Sequence, residues 1–442
     1  MGAGLLFLLA GIFLLIGAPI VTSVGLASII FGYSEGINLV VVIQKMFAGI
    51  DTTSLLAVPF FILAGDLMNS GGIAKRIVNM ASKLVGNVHG GVGIVAIISC
   101  MFFAAISGSG IATAAAIGGV MYYGFLRDGY DKAFSAAIVS TASPLGIVIP
   151  PSIAFIVYAT ITGASVSSLY KVGFPAGIIV GIFLMIPTYF ISKKRGYKAK
   201  GEKIRSGEII IDELPEEYLR GEENQLTGAK ALIDSLWALG TPFIIVGGVF
   251  AGVFTPTESA VVAVVYSIII GIYIYKEMKW SDLPGIFYKS ALSNAAIMII
   301  IAGASLFAWV MTYVRLPQNI MEATIGGGYG KNMLLLLVNL IILFAGMFME
   351  SAAIQYIVVP IAFPLLTSVG VDPIHFGIMI ATNLAIGQMS PPFGTVLFTT
   401  TRTYNVPIQD LIREVIPFWI AMILALIVII YMPFLVMWPL GL

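Results

Sequence analysis

Two stretches of the sequence combine small hydroxylated residues, glycines and prolines inside an apolar surround. Residues 104–119 read AAISGSGIATAAAIGG, with a small-residue tip, Ser107-Gly108-Ser109-Gly110, between apolar runs too short to be ordinary membrane spans. Downstream, Gly146-Ile147-Val148-Ile149-Pro150-Pro151-Ser152 interrupts a second apolar run. Non-helical backbone at membrane depth must line a protein cavity or an ion site, because lipid offers it no hydrogen bonds. The tip supplies two hydroxyls, and its glycines let carbonyls turn toward an ion. Pro150 and Pro151 lack N–H groups, so the pattern predicts an Ile147 carbonyl without its helical donor. Such oxygens suit Na⁺, and two facing breaks at mid-membrane are how a secondary transporter builds its site. The competing reading is a small-residue packing face, Ser107, Ala112, Ala115 and Gly119, beside a proline kink.

Glu350 is an acid inside FAGMFMESAAIQYIVVP. A carboxylate within a membrane span is costly and points to function, whether as cation ligand, proton acceptor or support for a hairpin tip. Glu258, in Phe254-Thr255-Pro256-Thr257-Glu258-Ser259, reads as the first-turn acid of a helix capped by Thr255 or Thr257. His375 beside Asp372-Pro373 reads as a satisfied interfacial histidine. Gly108-Ser109-Gly110 resembles a membrane-protease nucleophile, but no histidine stands where a base is needed, so the chain is not read as an enzyme.

These residues sit in a chain of 442 residues that is 59% hydrophobic and 10% charged, which makes it a polytopic, all-α membrane protein. A net charge of +1 argues against a nucleic-acid partner. Cys100 is the one cysteine, so there is no disulfide framework, and His89 and His375 are too few for a histidine metal centre. The start lacks a basic residue before its apolar run, which predicts a retained helix rather than a cleaved signal.

Apolar runs at 4–18 and 20–34, divided by Pro19, open the chain. An interfacial helix at 36–50, a span at 53–69 and a basic amphipathic helix at 73–85 follow. The last is expected to hold Lys75, Arg76 and Lys83 to water and Ile73, Ile77, Met80 and Leu84 to the membrane. A first re-entrant hairpin is expected over 90–127, then a broken span at 131–145 and 152–163 and another span at 172–191. Residues 193–230 form the long polar segment, with 9 of the 23 Lys and Arg and eight acids. The positive-inside rule assigns it to the cytoplasm as a linker between two halves, 1–192 and 231–442. The second half is read as 231–254, 257–275, an amphipathic 281–290, 291–313, a hairpin over 332–368, a broken pair at 373–387 and 393–404, and 415–440. The total is about eleven spans and two hairpins.

Sliding the chain by 241 residues aligns Gly129 with Gly370, Asp131 with Asp372, Thr141 with Thr382, Gly146 with Gly387 and Pro150-Pro151 with Pro391-Pro392. The same shift sets Ser109 against Glu350. Counting spans from a cytoplasmic Lys75-Arg76 brings Arg127, Lys193 and Arg402 inside and makes the second hairpin enter from the opposite face. The repeats are therefore inverted, the geometry that generates alternating access.

SGSGIATAAAIG, the Arg127-x-Gly129-Tyr130-Asp131 turn, LGIVIPPSIAFIVYATITGAS, GVFTPTESAVVAV, GMFMESAAI and QMSPPFGTVLF together resemble the large membrane subunit of tripartite ATP-independent periplasmic (TRAP) transporters. The resemblance covers essentially the whole chain. It implies an elevator of the ion-transporter-superfamily type that uses two or more Na⁺ ions to import organic acids such as C4-dicarboxylates or sialic acid across the bacterial inner membrane. It also implies a periplasmic binding protein and a small four-helix membrane subunit as partners. By matched position, Ser107, Gly146, Ile149 and Pro151 would form one Na⁺ site, and Gly387, Ser390 and Pro392 the other. Substrate would lie between the tips, among Ser109, Gly110, Glu350, Ser351 and Thr395. Gly110 departs from the serine common there, and Glu350 from the usual aspartate. A stand-alone sodium/carboxylate symporter of the same superfamily is the alternative.

Overall fold

The computed structural model describes residues 3–85, 88–211, 213–215, 218 and 229–441. The acidic stretch of the linker around Glu216 to Lys230 falls largely outside them. The described residues form helices and turns, with no β-strand among them. Seven helices are long and apolar enough to cross a membrane, and six shorter ones are apolar.

The first half runs α1 (Ala3–Leu15), α2 (Ile20–Ser34), α3 (Leu39–Ile50), α4 (Ala57–Ser70) and α5 (Ile73–Val85). Pro19 stands immediately ahead of α2, so the opening apolar region is two helices rather than one kinked span. Asn38 caps α3 by accepting from Val40 N at 2.8 Å. Next come α6 (Gly91–Ser107) and α7 (Gly110–Arg127), then α8 (Lys132–Ala142), α9 (Leu145–Val148) and α10 (Ile153–Thr162), then α11 (Val166–Arg195) and α12 (Tyr197–Arg205). The second half holds α13 (Ala229–Pro242), followed by a π-helical turn, α14 (Pro256–Ile269), α15 (Leu283–Tyr313), α16 (Leu316–Gly326), α17 (Lys331–Gly346), α18 (Ser351–Ser368), α19 (Pro373–Gln388), α20 (Thr395–Tyr404) and α21 (Ile408–Tyr431).

Two expectations need correction, and one helix was not anticipated. The helix expected at 281–290 and the span at 291–313 are one continuous helix, α15. Pro284 starts it, no Gly or Pro interrupts the junction, and the polar residues there are used up by α4. Ser290 donates to Asp66 at 2.6 Å, and Lys289 pairs with Asp66 at 3.3 Å. A helix not anticipated, α16, begins at Leu316-Pro317. On α5, Lys75, Lys83 and Leu84 are exposed as expected, but Arg76 turns inward and Ile73 and Ile77 are buried in the protein rather than held to the membrane. The cause is long-range: Arg76 meets Asp234 at 3.2 Å and Glu277 at 2.5 Å, and its guanidinium lies 3.7 Å from the Tyr275 ring centroid.

The large core contains both expected hairpins, both broken helices and α4. A separate apolar cluster joins α1–α3 to the end of α15 through Leu6, Phe31, Val42, Phe307 and Val310. The linker helix α12 docks under the end of α7. Gly201 packs on the Asp128 backbone, where an added Cβ would lie 2.8 Å from Asp128 Cα, and Arg205 pairs with Asp128 at 3.2 Å. Burial pushes the Asp128 carboxyl above its usual range, against the pull of Arg205 and Arg127.

Candidate functional site

The first tip is built by a helix stop and a helix start two residues apart. Gly108 takes φ +59°, the left-handed conformation that ends α6 after Ser107. Ser109 then caps α7, its hydroxyl accepting from Ala112 N at 3.4 Å. Ser107 Oγ lies 2.9 Å from Thr113 Oγ1, which donates to Ser109 O at 2.8 Å. Thr113 escaped sequence reading, although its place one turn after Ser109 is the signal that would have found it. The competing packing-face reading fails on α7, because Ala115 and Gly119 are exposed.

The tip rests on the first break at backbone distance. A Cβ on Gly146 would lie 3.0 to 3.1 Å from Ser109 backbone atoms, and one on Gly108 would lie 2.8 Å from Pro151 O. Ser109 therefore lies on Gly146 and Gly108 on Pro151, with Ser107 one residue before that contact and bonded to Thr113. Ile149 turns its side chain into an apolar cavity beside α11, leaving its backbone to the break. The Ile147 carbonyl is not free: Ser152 Oγ donates to it and then caps α10. A hydroxyl in the chain replaces the donor that proline removed, so Ile147 O is not an orphan acceptor.

The second tip repeats the logic with different residues. Glu350 caps α18, accepting from Ala352 N at 2.7 Å, the role that Ser109 plays for α7. Of the roles open to Glu350, support of the hairpin tip is the one this geometry displays. Gly387 on α19 packs on Gly346 of α17, and a Cβ on Gly387 would lie 2.7 Å from Gly346 Cα. One turn earlier, Asn383 donates to Asn339 O at 2.8 Å and ties the same two helices. Ser390 Oγ donates to Ile386 O at 2.6 Å and accepts from Trp419 Nε1 at 2.8 Å. The two proline pairs differ in setting: Pro151 is buried, whereas Pro392 and Thr395 are exposed. Thr395 is not brought to the tips.

The tips meet each other. Gly108 to Ile111 and Glu350 to Ala352 line one cavity of about 180 Å³, with Gln355 and Gln388. Neither glutamine was singled out from sequence; a polar residue in the apolar run AAIQYIVV was the available signal. Among its lining residues Glu350 is the one ionisable group. Gly110 has a reason for lacking a side chain, since a Cβ there would lie 2.4 Å from Gln388 Oε1. The amide oxygen takes the space a serine would fill.

Elsewhere the structure bears out local readings. Thr255 and Glu258 form a reciprocal capping box at the start of α14. His375 is buried, with Nε2 2.8 Å from Ile429 O.

Residues 6–435 match the family described as "Tripartite ATP-independent periplasmic transporter, DctM component". The chain belongs to this family. It is a TRAP transporter large permease, a membrane transport protein, and its named relatives are transporter permeases rather than enzymes. A C4-dicarboxylate TRAP large permease of Pseudomonas aeruginosa is 39% identical over 389 residues, 88% of this chain and 86% of that one. The sialic acid large permease SiaM of Vibrio cholerae is 34% identical over 93% of this chain and 91% of that one. An isethionate TRAP permease, DctMQ, of Oleidesulfovibrio alaskensis is 37% identical over 96% of this chain, which spans 64% of that relative's length. In fold, the chain is similar to the YdaH transporter of Alcanivorax borkumensis at TM-score 0.61 and 14% identity, covering 90% of this chain and 88% of that one.

Proposed function

We propose that this permease imports organic acids by coupling them to two or more Na⁺ ions, with the tips and broken helices moving as an elevator against a fixed frame. The observation that carries the reading is the meeting of both tips over one cavity, each tip side braced at backbone distance by a glycine beside a proline break. One Na⁺ is assigned to Ser107 with backbone oxygens around Gly146, Ile149 and Pro151. The other is assigned to Gly387, Ser390 and Pro392 near the Glu350-Ser351 tip. Substrate sits between the tips against Ser109, Gly110, Glu350 and Ser351. Thr395 is left for a state in which α20 has moved. An anion suits the cavity because α7 starts there and aims N–H groups at it, while Glu350 caps the start of α18. The relatives named for C4-dicarboxylate, sialic acid and isethionate all take anionic compounds.

The frame is assigned to α1–α3 and the end of α15, whose apolar cluster is distinct from the core that holds the tips. Val40, Ile43 and Phe47 leave an exposed apolar face on α3 for the small four-helix subunit or for lipid. The longer isethionate relative carries both M and Q in its name, which favours such a partner. A periplasmic binding protein delivers the substrate, and the membrane is the inner one. The halves 1–192 and 231–442 are inverted repeats joined by a cytoplasmic linker, 193–230. Ion pairs support a common face for this count, because Arg76 meets Asp234 and Glu277, and Arg195 meets Glu414 at 2.8 Å.

Uptake by proteoliposomes holding the permease, its small subunit and the binding protein tests the coupling. A Na⁺ gradient is expected to drive uptake, and Ser107→Ala to raise the Na⁺ requirement about tenfold, as for one lost ligand. Full uptake on a proton gradient without Na⁺ would sink the reading, and equal uptake by the permease alone would favour a stand-alone symporter. The topology has its own test. Single cysteines at the exposed positions Lys83 and Ser206, in a Cys100→Ala background, should resist an impermeant thiol reagent added outside. Outside labelling of either breaks the inverted count.

A further inference from the structure

The cavity between the tips contains two amides that the fold leaves unanswered. Gln355 is 1% exposed, and neither its amide nitrogen nor its amide oxygen has a partner among the described residues. Gln388 donates from Nε2 to Ser351 Oγ at 3.4 Å, while its Oε1 is buried and unpartnered. Folded proteins leave few such groups, because a buried polar atom without a partner is costly. Two of them facing one cavity mark a ligand site rather than a packing fault.

The hydrogen-bond inventory says what the ligand must carry. Donors are present: the Gln355 amide, the hydroxyls of Ser109 and Ser351, and the N–H groups that open α7, whereas the start of α18 is capped by the Glu350 carboxyl. Those suit a carboxylate or sulfonate, and no Arg, Lys or His lines the cavity. The two amide oxygens need hydrogens in return. A plain anionic acid offers only lone pairs and leaves both oxygens unsatisfied. An acid with a hydroxyl group brings one hydrogen, enough for one of the two oxygens, while its anionic group meets the donors. Exchanging O and N on either amide preserves this conclusion, since each amide still presents both functions. Size adds a limit, because about 180 Å³ equals roughly six waters at about 30 Å³ each.

We propose that the tip cavity selects a small hydroxylated organic acid, with the amides of Gln355 and Gln388 reading its hydroxyl group. This rests on the organic-acid reading of the cavity given above. Rejection of the deoxy acid follows from the same physics, since a site built around polar groups discriminates against a ligand that leaves them unpaired.

The purified full-length permease in lipid nanodiscs with Na⁺ present provides the test, using matched pairs of acids as probes. Malate is paired with succinate, glycerate with propionate, and isethionate with ethanesulfonate, and half-saturation is read by calorimetry and thermal shift. At least one hydroxylated member is expected to bind about tenfold more tightly than its deoxy partner, the value of one good hydrogen bond. Gln355→Leu should bring the pair to within about twofold. The same variant, free of ligand, should unfold at the wild-type temperature or above it, because it removes unpaired polar atoms. A drop in that temperature would mean a structural amide and overturn the proposal. Binding of both members without preference would overturn the hydroxyl inference and spare the organic-acid reading. Binding of none would overturn both. A variant that alters only Na⁺ dependence would assign the amides to the ion and also overturn the proposal.

Discussion

Gly387→Ala is expected to abolish transport while Gly119→Ala leaves it intact. A methyl on Gly387 would sit 2.7 Å from Gly346 Cα and 3.0 Å from its carbonyl carbon and oxygen. All three are backbone atoms inside helices, so no side chain can swing aside. Relief requires α19 and α17 to separate, and such overpacking costs about 1–3 kcal/mol. Separation also strains the Asn383–Asn339 hydrogen bond one turn away and shifts the backbone that leads into Ser390. Stability should fall by that amount in thermal or denaturant unfolding, and uptake by more than about tenfold, because a shift approaching 1 Å at a site is enough to do so. Gly119 is the control, since nothing lies within 4 Å of its added Cβ. Wild-type uptake by Gly387→Ala would show that this crossing does not position the second break.

Arg76→Ala is the second variant with a large expected effect, on stability rather than on the cavity. Arg76 joins three segments: it pairs with Asp234 near the start of α13, pairs with Glu277 after α14, and donates to Gly72 O at 2.9 Å. Its guanidinium also covers the ring of Tyr275, whose hydroxyl donates to Asp234 O at 2.5 Å. Its side chain is 13% exposed, against 42% for Glu277, so water screens the pairs unequally. Removing one partner of a well-buried pair costs about 3–5 kcal/mol, and partial exposure lowers the expectation here to about 2 kcal/mol. Arg76→Lys should recover little, because an ammonium cannot span two carboxylates and stack on a ring as a planar fork does. Thermal unfolding in detergent, with both variants beside wild type, checks this. Full stability in Arg76→Ala would mean that the cluster is surface decoration.

Much of this protein could be read from residue order alone, because the membrane imposes local rules. Helix limits such as Ile73–Val85 and Gly110–Arg127 follow from apolar run length, glycine stops and hydroxyl caps. Each of these acts within one turn. The Ser107–Gly110 tip and the Gly-Pro-Pro breaks are legible for the same reason: a small-residue or proline interruption inside an apolar run has few physical uses. The capping box at Thr255 and Glu258 and the satisfied His375 are equally local in cause. Family membership was legible as well, since its motifs are contiguous strings spread in order along the chain.

Tertiary structure decided what depends on partners far away in sequence. Whether Arg76 faced water turned on carboxylates at Asp234 and Glu277, more than a hundred residues away. The continuity of α15 turned on Asp66 absorbing Ser290 and Lys289. Ile147 O, free by the proline rule, was satisfied by Ser152, because a chain that bends sharply can bring its own hydroxyl back. Gln355 and Gln388 belong to no local pattern. Their amides matter because two hairpins from opposite halves enclose them in one cavity away from bulk water, where an unpaired polar atom acquires an energetic cost and therefore a use.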